Sequence, residues 1–195
     1  SLVAGGTPRD TLAADLARFI AHHDGLRFGG LMTYPNRPGL DDFVDAVRAL
    51  LIGDGLTIER VSGGSSAGMW QAHTFRTLTE HRAGMYLFGD RKLMEVGAVP
   101  LEQCAFGVRS MVVSRPTHDR VILDAGSKTL SSDTQGLDGY GFIREYPEAR
   151  IAALSEEHGH TDFSACSRRP EIGEVLTIIP NHCCVCINMH DKVYG

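Results

Sequence analysis

Hydrophobic residues in the first hundred positions alternate between runs of strand length and runs of helical spacing. Residues 26–34 form an apolar run of strand length, and after a Pro/Gly loop the apolar residues of 40–51 fall on one helical face. A helix is also predicted from about residue 8 to residue 23, because Thr7 and Pro8 suit the N-cap and first helical positions. This part of the chain therefore predicts helix, strand, loop and helix.

The same order continues further along the chain. Residues 57–61 predict a second strand, which is followed by the Gly/Ser loop 62–66 and a helix around 69–78, and residues 85–90 predict a third strand. Strand starts near 26, 57 and 85 are about thirty residues apart, which is the period of a βα unit in a parallel sheet. Both a barrel and a doubly wound sheet fit this period.

Beyond residue 105 the pattern changes to short strands separated by Gly, Pro and Asp. Residues 108–114 and 120–126 flank the turn-like RPTHD and predict an antiparallel hairpin. Residues 140–146 and 174–180 predict further short strands. A second, mostly β domain follows from this pattern.

Composition and charge narrow the function classes. The chain has 195 residues, 43% of them hydrophobic, and its net charge of -5 comes from acidic and basic residues mixed along the sequence. This argues against a nucleic acid or an anionic membrane as partner. Without an apolar run of about 20 residues or the layout of a signal peptide, a soluble, cytoplasmic protein is expected.

Two short segments carry candidate chemistry. In SGGSS, residues 62–66, glycines and serines before a helix suit a phosphate, although many such turns bind nothing; Walker A and GxGxxG patterns are absent. In PNHCCVCINMHD, residues 180–191, His182 and Cys184 would share one face of an extended backbone and suit zinc. With no second Cys/His pair, such a site would be open to water or substrate. The alternative is a buried, well-packed segment.

A third segment, SEEHGH, holds Glu156, Glu157, His158 and His160. These side chains are candidates for additional metal ligands or a general base, but such a stretch is more often a solvated turn. The five cysteines are an odd number with three crowded near the C-terminus, which does not indicate a disulfide framework.

Seven segments taken in order give a family resemblance. GLRFGGLMTYP, VSGGSSAGMW, TEHRAGMYLFGDR, VVSRPTHDRVILDAGSKTLSSD, GYG, LSEEHG and PNHCCVCINMHD resemble the D-threonine aldolase and D-serine dehydratase family. These are pyridoxal phosphate (PLP) enzymes of the alanine-racemase fold type. The resemblance implies an α/β plus β architecture: residues 1–104 as the C-terminal part of a TIM-type (β/α) barrel on the cofactor-phosphate side, and residues 105–195 as a mostly antiparallel β domain with the metal segment.

The resemblance also implies site residues. The family's cofactor-phosphate loop is matched by Gly63, Gly64 and Ser65, and its tyrosine on the following strand is matched by Tyr86. Its two protein metal ligands are matched by His182 and Cys184. In this family the dehydratases carry cysteine at the second ligand position and use zinc, whereas the aldolases carry aspartate and use harder ions. Zinc is therefore favoured here, with manganese or magnesium as alternatives.

The PLP-binding lysine of the family has no counterpart in this chain. A barrel of this type needs about 250 residues, and Lys92, Lys128 and Lys192 lie outside the lysine motif, with Lys92 expected to end the last barrel strand. We expect this chain to be the C-terminal half of such an enzyme, to associate with the N-terminal half, and to form a homodimer as the complete enzyme.

The predicted function is that of a PLP- and metal-dependent lyase acting on a D-β-hydroxy-α-amino acid, with a D-serine dehydratase type slightly favoured over a D-threonine aldolase type. A non-catalytic metal-binding or assembly module derived from the family is one alternative, and an amino-acid racemase is another. The colour of the protein separates the lyase from the non-catalytic module, because a competent PLP enzyme is yellow. A racemase would not need the His-x-Cys pair.

Overall fold

The chain divides between Gly84 and Met85 into two units, and the computed structural model describes residues 9–195. The described part of the first unit contains α1 (Arg9–Ala21), β1 (Gly30–Met32), α2 (Leu40–Leu51), β2 (Arg60–Gly64) and β3 (Glu80–Arg82), with 3-10 helices at Ile52–Asp54 and Ser66–Thr74. Thr7 and Pro8 of the predicted N-cap lie outside the described residues. Among residues 9–195, no helix has the length and apolar character that would be needed to cross a membrane.

The first unit is built on a parallel sheet with β2 in the centre. β2 pairs in parallel with β1 and with β3. Val61 to Gly64 are buried along β2, as expected for the central strand of a parallel sheet that is covered on both faces. The predicted parallel βα arrangement is confirmed, whereas its membership of a (β/α) barrel stays a prediction.

The two helices of the first unit pack on each other by different kinds of side chain. α2 has the predicted bounds, and it buries Val44 and Val47. α1 turns the small Ala14 and Ala17 into the core, while the larger Leu16 remains mostly exposed. Alanines permit a close approach between the helices, which explains why the large apolar residues of α1 are not the ones that are buried.

The third strand of this unit lies earlier than predicted. β3 is Glu80–Arg82, and residues 85–87 form a 3-10 turn, so the predicted strand at 85–90 is wrong. The position of β3 is set by Thr77, whose amide and hydroxyl both donate to Asp41 of α2, at 2.8 and 2.6 Å. The strand predicted at 57–61 is observed as β2, which lies three residues later. The helix predicted around 69–78 is observed as the 3-10 helix Ser66–Thr74, which begins and ends earlier.

The second unit is a six-stranded antiparallel sheet with short helices. Its strands are β4 (Val108–Ser114), β5 (Arg120–Leu123), β6 (Phe142–Ile143), β7 (Arg150–Leu154), β8 (Gly159–Asp162) and β9 (Val175–Ile179), in the order β6-β9-β4-β5-β8-β7. Its helices are α3 (Arg91–Glu95), α4 (Ser127–Leu130) and α5 (Cys183–Ile187), with 3-10 turns at Met85–Leu87 and Leu101–Gln103. The predicted β4–β5 hairpin and the strands β6 and β9 are confirmed, whereas β7 and β8 were not predicted.

This sheet curves until it is nearly closed around one core. The amide of Tyr140, just before β6, donates to the carbonyl of Ile151 on β7 at 3.1 Å, so the two edge strands approach each other. Alternate residues point inward, as Val108 and Val112 do on β4. The mostly antiparallel β domain is confirmed. The limits 1–104 and 105–195 stay a prediction for the domains.

Truncation of Ile178 tests this core. Ile178→Ala is expected to lower the free energy of unfolding by about 2–5 kcal/mol, because the side chain is fully buried on β9 and its loss leaves a cavity. Ile172→Ala is the matched control, since Ile172 is 65% exposed, and it should change stability by less than about 0.5 kcal/mol. Urea unfolding followed by circular dichroism measures both, and equal losses would contradict this assignment of the core.

Candidate functional site

The segment that carries His182 and Cys184 changes from extended to helical backbone directly after His182. β9 ends at Ile179, His182 itself is extended with φ −138° and ψ 108°, and α5 begins at Cys183. The amide of Cys186 donates to the carbonyl of His182 at 3.2 Å and closes the first helical turn. The expectation of extended backbone through Cys184 is therefore wrong: the amide of Cys183 has an acceptor in the side chain of Asp90, and no glycine or proline interrupts the turn.

Helical spacing separates the three cysteines of α5. Cys183 and Cys186 are three positions apart, share one face and are buried in the core of the second unit, whereas Cys184 is exposed. Burial raises the pKa of the Cys186 thiol to about 12. Burial, followed by the charge of Asp90, also raises the pKa of Cys183. Burial of both side chains in the core gives Cys183 and Cys186 a packing role and leaves Cys184 as the accessible thiol of α5.

A buried carboxylate, Asp90, contacts this segment. Its Oδ1 accepts a hydrogen bond from the amide of Leu93 at 2.8 Å and thereby caps α3. Its Oδ2 accepts from the amide of Cys183 at 3.0 Å and lies 3.4 Å from Nδ1 of His182. Asp90 was not among the predicted site residues, because residues 85–90 were expected to form a strand. The available signal was an aspartate in N-cap position directly before a short helical run.

The start of α3 also holds the backbone just before His182. The amide of Arg91 donates to the carbonyl of Pro180 at 3.0 Å, and the amide of Lys92 donates to the carbonyl of Asn181 at 3.2 Å. The buried Asn181 side chain donates to the carbonyl of Gly139 at 2.8 Å. Lys92 therefore lies in α3, not at the end of a strand as predicted, and its Nζ donates to the carbonyl of Gln135 at 3.1 Å.

The donors at this segment fit a divalent metal ion with open coordination positions. An imidazole and an accessible thiol form a borderline-soft donor pair suited to zinc. His182 is partly buried and faces a carboxylate, which is the outer contact that metal-binding histidines usually make. Within residues 9–195 no group of three or more His, Cys, Asp or Glu side chains is arranged to hold a metal. A metal at His182 and Cys184 would therefore take its remaining ligands from water or substrate.

The predicted phosphate loop begins inside a strand. Gly63 and Gly64 are the last residues of β2, and the turn starts at Ser65 with φ 116°, so SGGSS is only partly a loop. A Cβ at Gly63 would lie 2.4 Å from Oδ1 of Asn36, which in turn accepts the amide of Gly64 at 2.9 Å. The amide of Ser65 donates to the carbonyl of Arg82 at 3.2 Å. Glycine is required at position 63 by a side chain of the protein itself.

These contacts limit how a phosphate would be held there. The amides of Gly64 and Ser65 already have acceptors within the protein, so they do not fit a phosphate as backbone donors. The Ser65 hydroxyl is one donor that fits. The Arg82 guanidinium is the other: it lies 3.1 Å from where a Cβ at Gly64 would be, and although Nη1 donates to the Ser62 hydroxyl and Nη2 to the Thr33 carbonyl, its five N–H groups leave further donors for a phosphate. Both lie at the carboxyl end of a parallel strand, where ligands bind in α/β sheets.

The remaining candidate residues lie on turns of the second unit. Tyr86 is in the 3-10 turn Met85–Leu87, not on a strand as predicted, and its side chain is half exposed. Glu156, Glu157 and His158 form the turn between β7 and β8, where Glu157 pairs with Lys128 at 2.6 Å in solvent. The reading of this stretch as a solvated turn is confirmed.

Comparison with known proteins gives a family match and several relatives. A family model described as "Putative serine dehydratase domain" matches residues 105–195. An uncharacterized protein of Mycobacterium tuberculosis is 37% identical over 112 residues, which cover 55% of this chain and 84% of that protein. D-threonine aldolase of Arthrobacter sp. is 28% identical over 203 residues, covering 95% of this chain and 52% of that enzyme.

Solved structures match over nearly the whole chain. D-threo-3-hydroxyaspartate dehydratase from Delftia sp. superposes with a TM-score of 0.75 and 25% identity, over 97% of this chain and 58% of that one. The chain therefore spans about half the length of these two enzymes. The predicted resemblance is confirmed. The chain belongs to the D-threonine aldolase and D-serine dehydratase family and corresponds to the C-terminal part of its longer members.

Proposed function

We propose that this chain is the C-terminal, metal-binding part of a lyase that acts on D-β-hydroxy-α-amino acids with PLP and a divalent metal. Family membership supports the reaction class, because related members are PLP-dependent lyases. The observation that carries the proposal is the arrangement of His182 against a buried carboxylate with the exposed Cys184 two residues later.

Relatives of this chain are named both as aldolases and as dehydratases. They include the Arthrobacter D-threonine aldolase, the Delftia D-threo-3-hydroxyaspartate dehydratase and a D-serine dehydratase of Dictyostelium discoideum. Two further solved structures of a D-threo-3-hydroxyaspartate dehydratase are of a histidine-to-alanine variant and of a cysteine-to-alanine variant in a metal-free form, and the two substituted positions are two residues apart. That spacing equals the spacing of His182 and Cys184, which supports a metal site there.

Cys184 favours the dehydratase type and zinc. A thiolate is a soft donor that suits zinc, whereas manganese and magnesium prefer oxygen ligands. Bound PLP would supply an electron sink at the substrate α-carbon, and the divalent ion would polarise the β-hydroxyl. Loss of that hydroxyl gives dehydration, whereas cleavage of the Cα–Cβ bond gives an amino acid and an aldehyde. The same ion position serves both reactions.

The residues of this chain would bind and orient the metal ion and the cofactor, but they would not supply the amine that binds PLP. His182 and Cys184 would hold the ion. Ser65 and Arg82 would contact the cofactor phosphate through their side chains, and the family resemblance implies Tyr86 as a further contact. The Lys92 and Lys128 amines are bonded to Gln135 and Glu157. We propose that the PLP-binding lysine comes from the N-terminal half of the complete enzyme, which acts as a homodimer.

Zinc binding by the 195-residue chain tests the metal site. The chain is expected to bind one zinc ion, and His182→Ala and Cys184→Ala should each weaken binding by more than about 100-fold, the upper limit expected for loss of an outer contact. Cys166→Ala is the control, because Cys166 is also a free thiol of the second unit but is buried and lies outside α5. Competition with a fluorescent chelator gives the affinities. Unchanged binding in both ligand variants would refute the site.

Product analysis tests the reaction. The complete enzyme, which contains this chain together with the lysine-bearing half, should be yellow from its bound PLP. It should convert D-serine into pyruvate and ammonia, because Cys184 favours dehydration. Keto acid is measured by coupled reduction, and D-threonine is assayed in parallel for glycine and acetaldehyde. Aldehyde formation with no keto acid would show the aldolase type, and a colourless, inactive protein would favour a non-catalytic module.

A further inference from the structure

Asp90 is the one carboxylate among the buried polar side chains of residues 9–195, and it has no exposed surface. Burying a carboxylate is unfavourable unless hydrogen bonds or a nearby positive charge compensate for the lost hydration. Two backbone amides, those of Leu93 and Cys183, supply part of this compensation. A helix cap alone does not require a buried acid, because serine or asparagine caps a helix equally well.

The third contact of Asp90 is the side chain of His182. Nδ1 of the ring lies 3.4 Å from Oδ2. A carboxylate only accepts hydrogen bonds, so this contact favours the tautomer that has its N–H at Nδ1 and its lone pair on Nε2. Nε2 is then the atom available to a metal.

The same oxygen also sets the backbone next to Cys184. Oδ2 accepts the amide of Cys183, the first residue of α5, at 3.0 Å. One carboxylate oxygen thus contacts the side chain of one proposed ligand and the backbone that precedes the other. Since Asp90 is itself held at the start of α3, the two candidate ligands are oriented from a separate element of the fold.

We propose that Asp90 is a positioning residue that fixes the His182 tautomer and the start of α5, so that His182 Nε2 and the Cys184 thiolate are preset for a divalent ion. This inference rests on the proposed metal site. It concerns the orientation of the ligands, whereas the proposed function concerns the reaction. The two can therefore fail separately.

The tautomer of His182 in the metal-free chain is the first measurement. Long-range proton–nitrogen NMR of imidazole rings should show the N–H of His182 on Nδ1. Asp90→Ser keeps an N-cap for α3 but is too short to reach His182, so it removes the acceptor at Nδ1, and the N–H population should shift toward Nε2. A wild-type ring with its N–H on Nε2, or an unchanged tautomer in the variant, would overturn the proposal without reference to any metal.

Zinc affinity is the second measurement. Asp90→Asn should bind zinc about 10–100-fold more weakly, the usual range for loss of an outer carboxylate partner. Asp124→Asn is the control for a merely structural loss: its carboxylate accepts the amide of Met111 at 2.7 Å in the same unit. Asp133→Asn is the control for charge, because Asp133 interacts electrostatically with His182 but hydrogen-bonds to Gln135. Neither should match the effect at Asp90, and equal weakening in either would overturn the proposal.

Asp90→Ser also covers the case in which Asp90→Asn does not fold. Because it keeps the cap of α3, it should fold, lose the fixed tautomer and bind zinc more weakly. Full retention of both properties would refute the positioning role. If the wild-type chain binds no zinc, the proposed metal function fails, while the tautomer measurement still decides the contact between Asp90 and His182.

Discussion

The buried carboxylate of Asp90 is the contact on which the local structure around His182 depends. It is the N-cap of α3 and the acceptor for the first amide of α5, so two short helices, far apart in sequence, begin at the same side chain. Helices of five residues are too short to be stable alone. Their geometry therefore has to be fixed by such tertiary contacts, and the orientation of His182 and Cys184 follows from it.

The antiparallel sheet supplies the rigid support for this contact. β9 pairs with β4 and β6 in the core and ends just before Pro180. There the first amides of α3 donate hydrogen bonds to the backbone carbonyls that precede His182. Cys183 and Cys186 then anchor α5 in the same core. Because these two side chains are buried, the core fixes the helix and leaves Cys184 as the accessible donor.

The regular elements could be read from the sequence wherever one periodicity dominated. α2 has the predicted bounds, and β4 and β5 form the predicted hairpin, because their apolar positions recur at a single period and end at clear turn residues. β7 could not be found this way, since only Ile151 of its residues is fully buried and the strand contains a bulge. Likewise, the apolar pattern of residues 85–90 resembled a strand. In the structure Met85–Leu87 form a 3-10 turn, and Asp90 follows as the N-cap of α3.

The candidate site shows the same division between pattern and tertiary contact. Spacing brought out His182 and Cys184 under an assumption of extended backbone, which is wrong for Cys184 even though the residue is accessible. At the Gly/Ser loop the sequence alone could not decide whether a phosphate binds. A glycine is needed both where a phosphate comes close to the backbone and where a protein side chain such as Asn36 does, so both cases give the same sequence pattern. Only the contacts show that the Gly64 and Ser65 amides are already bonded, which shifts the proposed phosphate contacts to side chains. Asp90, which has no metal-ligand spacing of its own, was beyond the reach of any spacing argument, because its role arises from a contact 92 residues away in sequence.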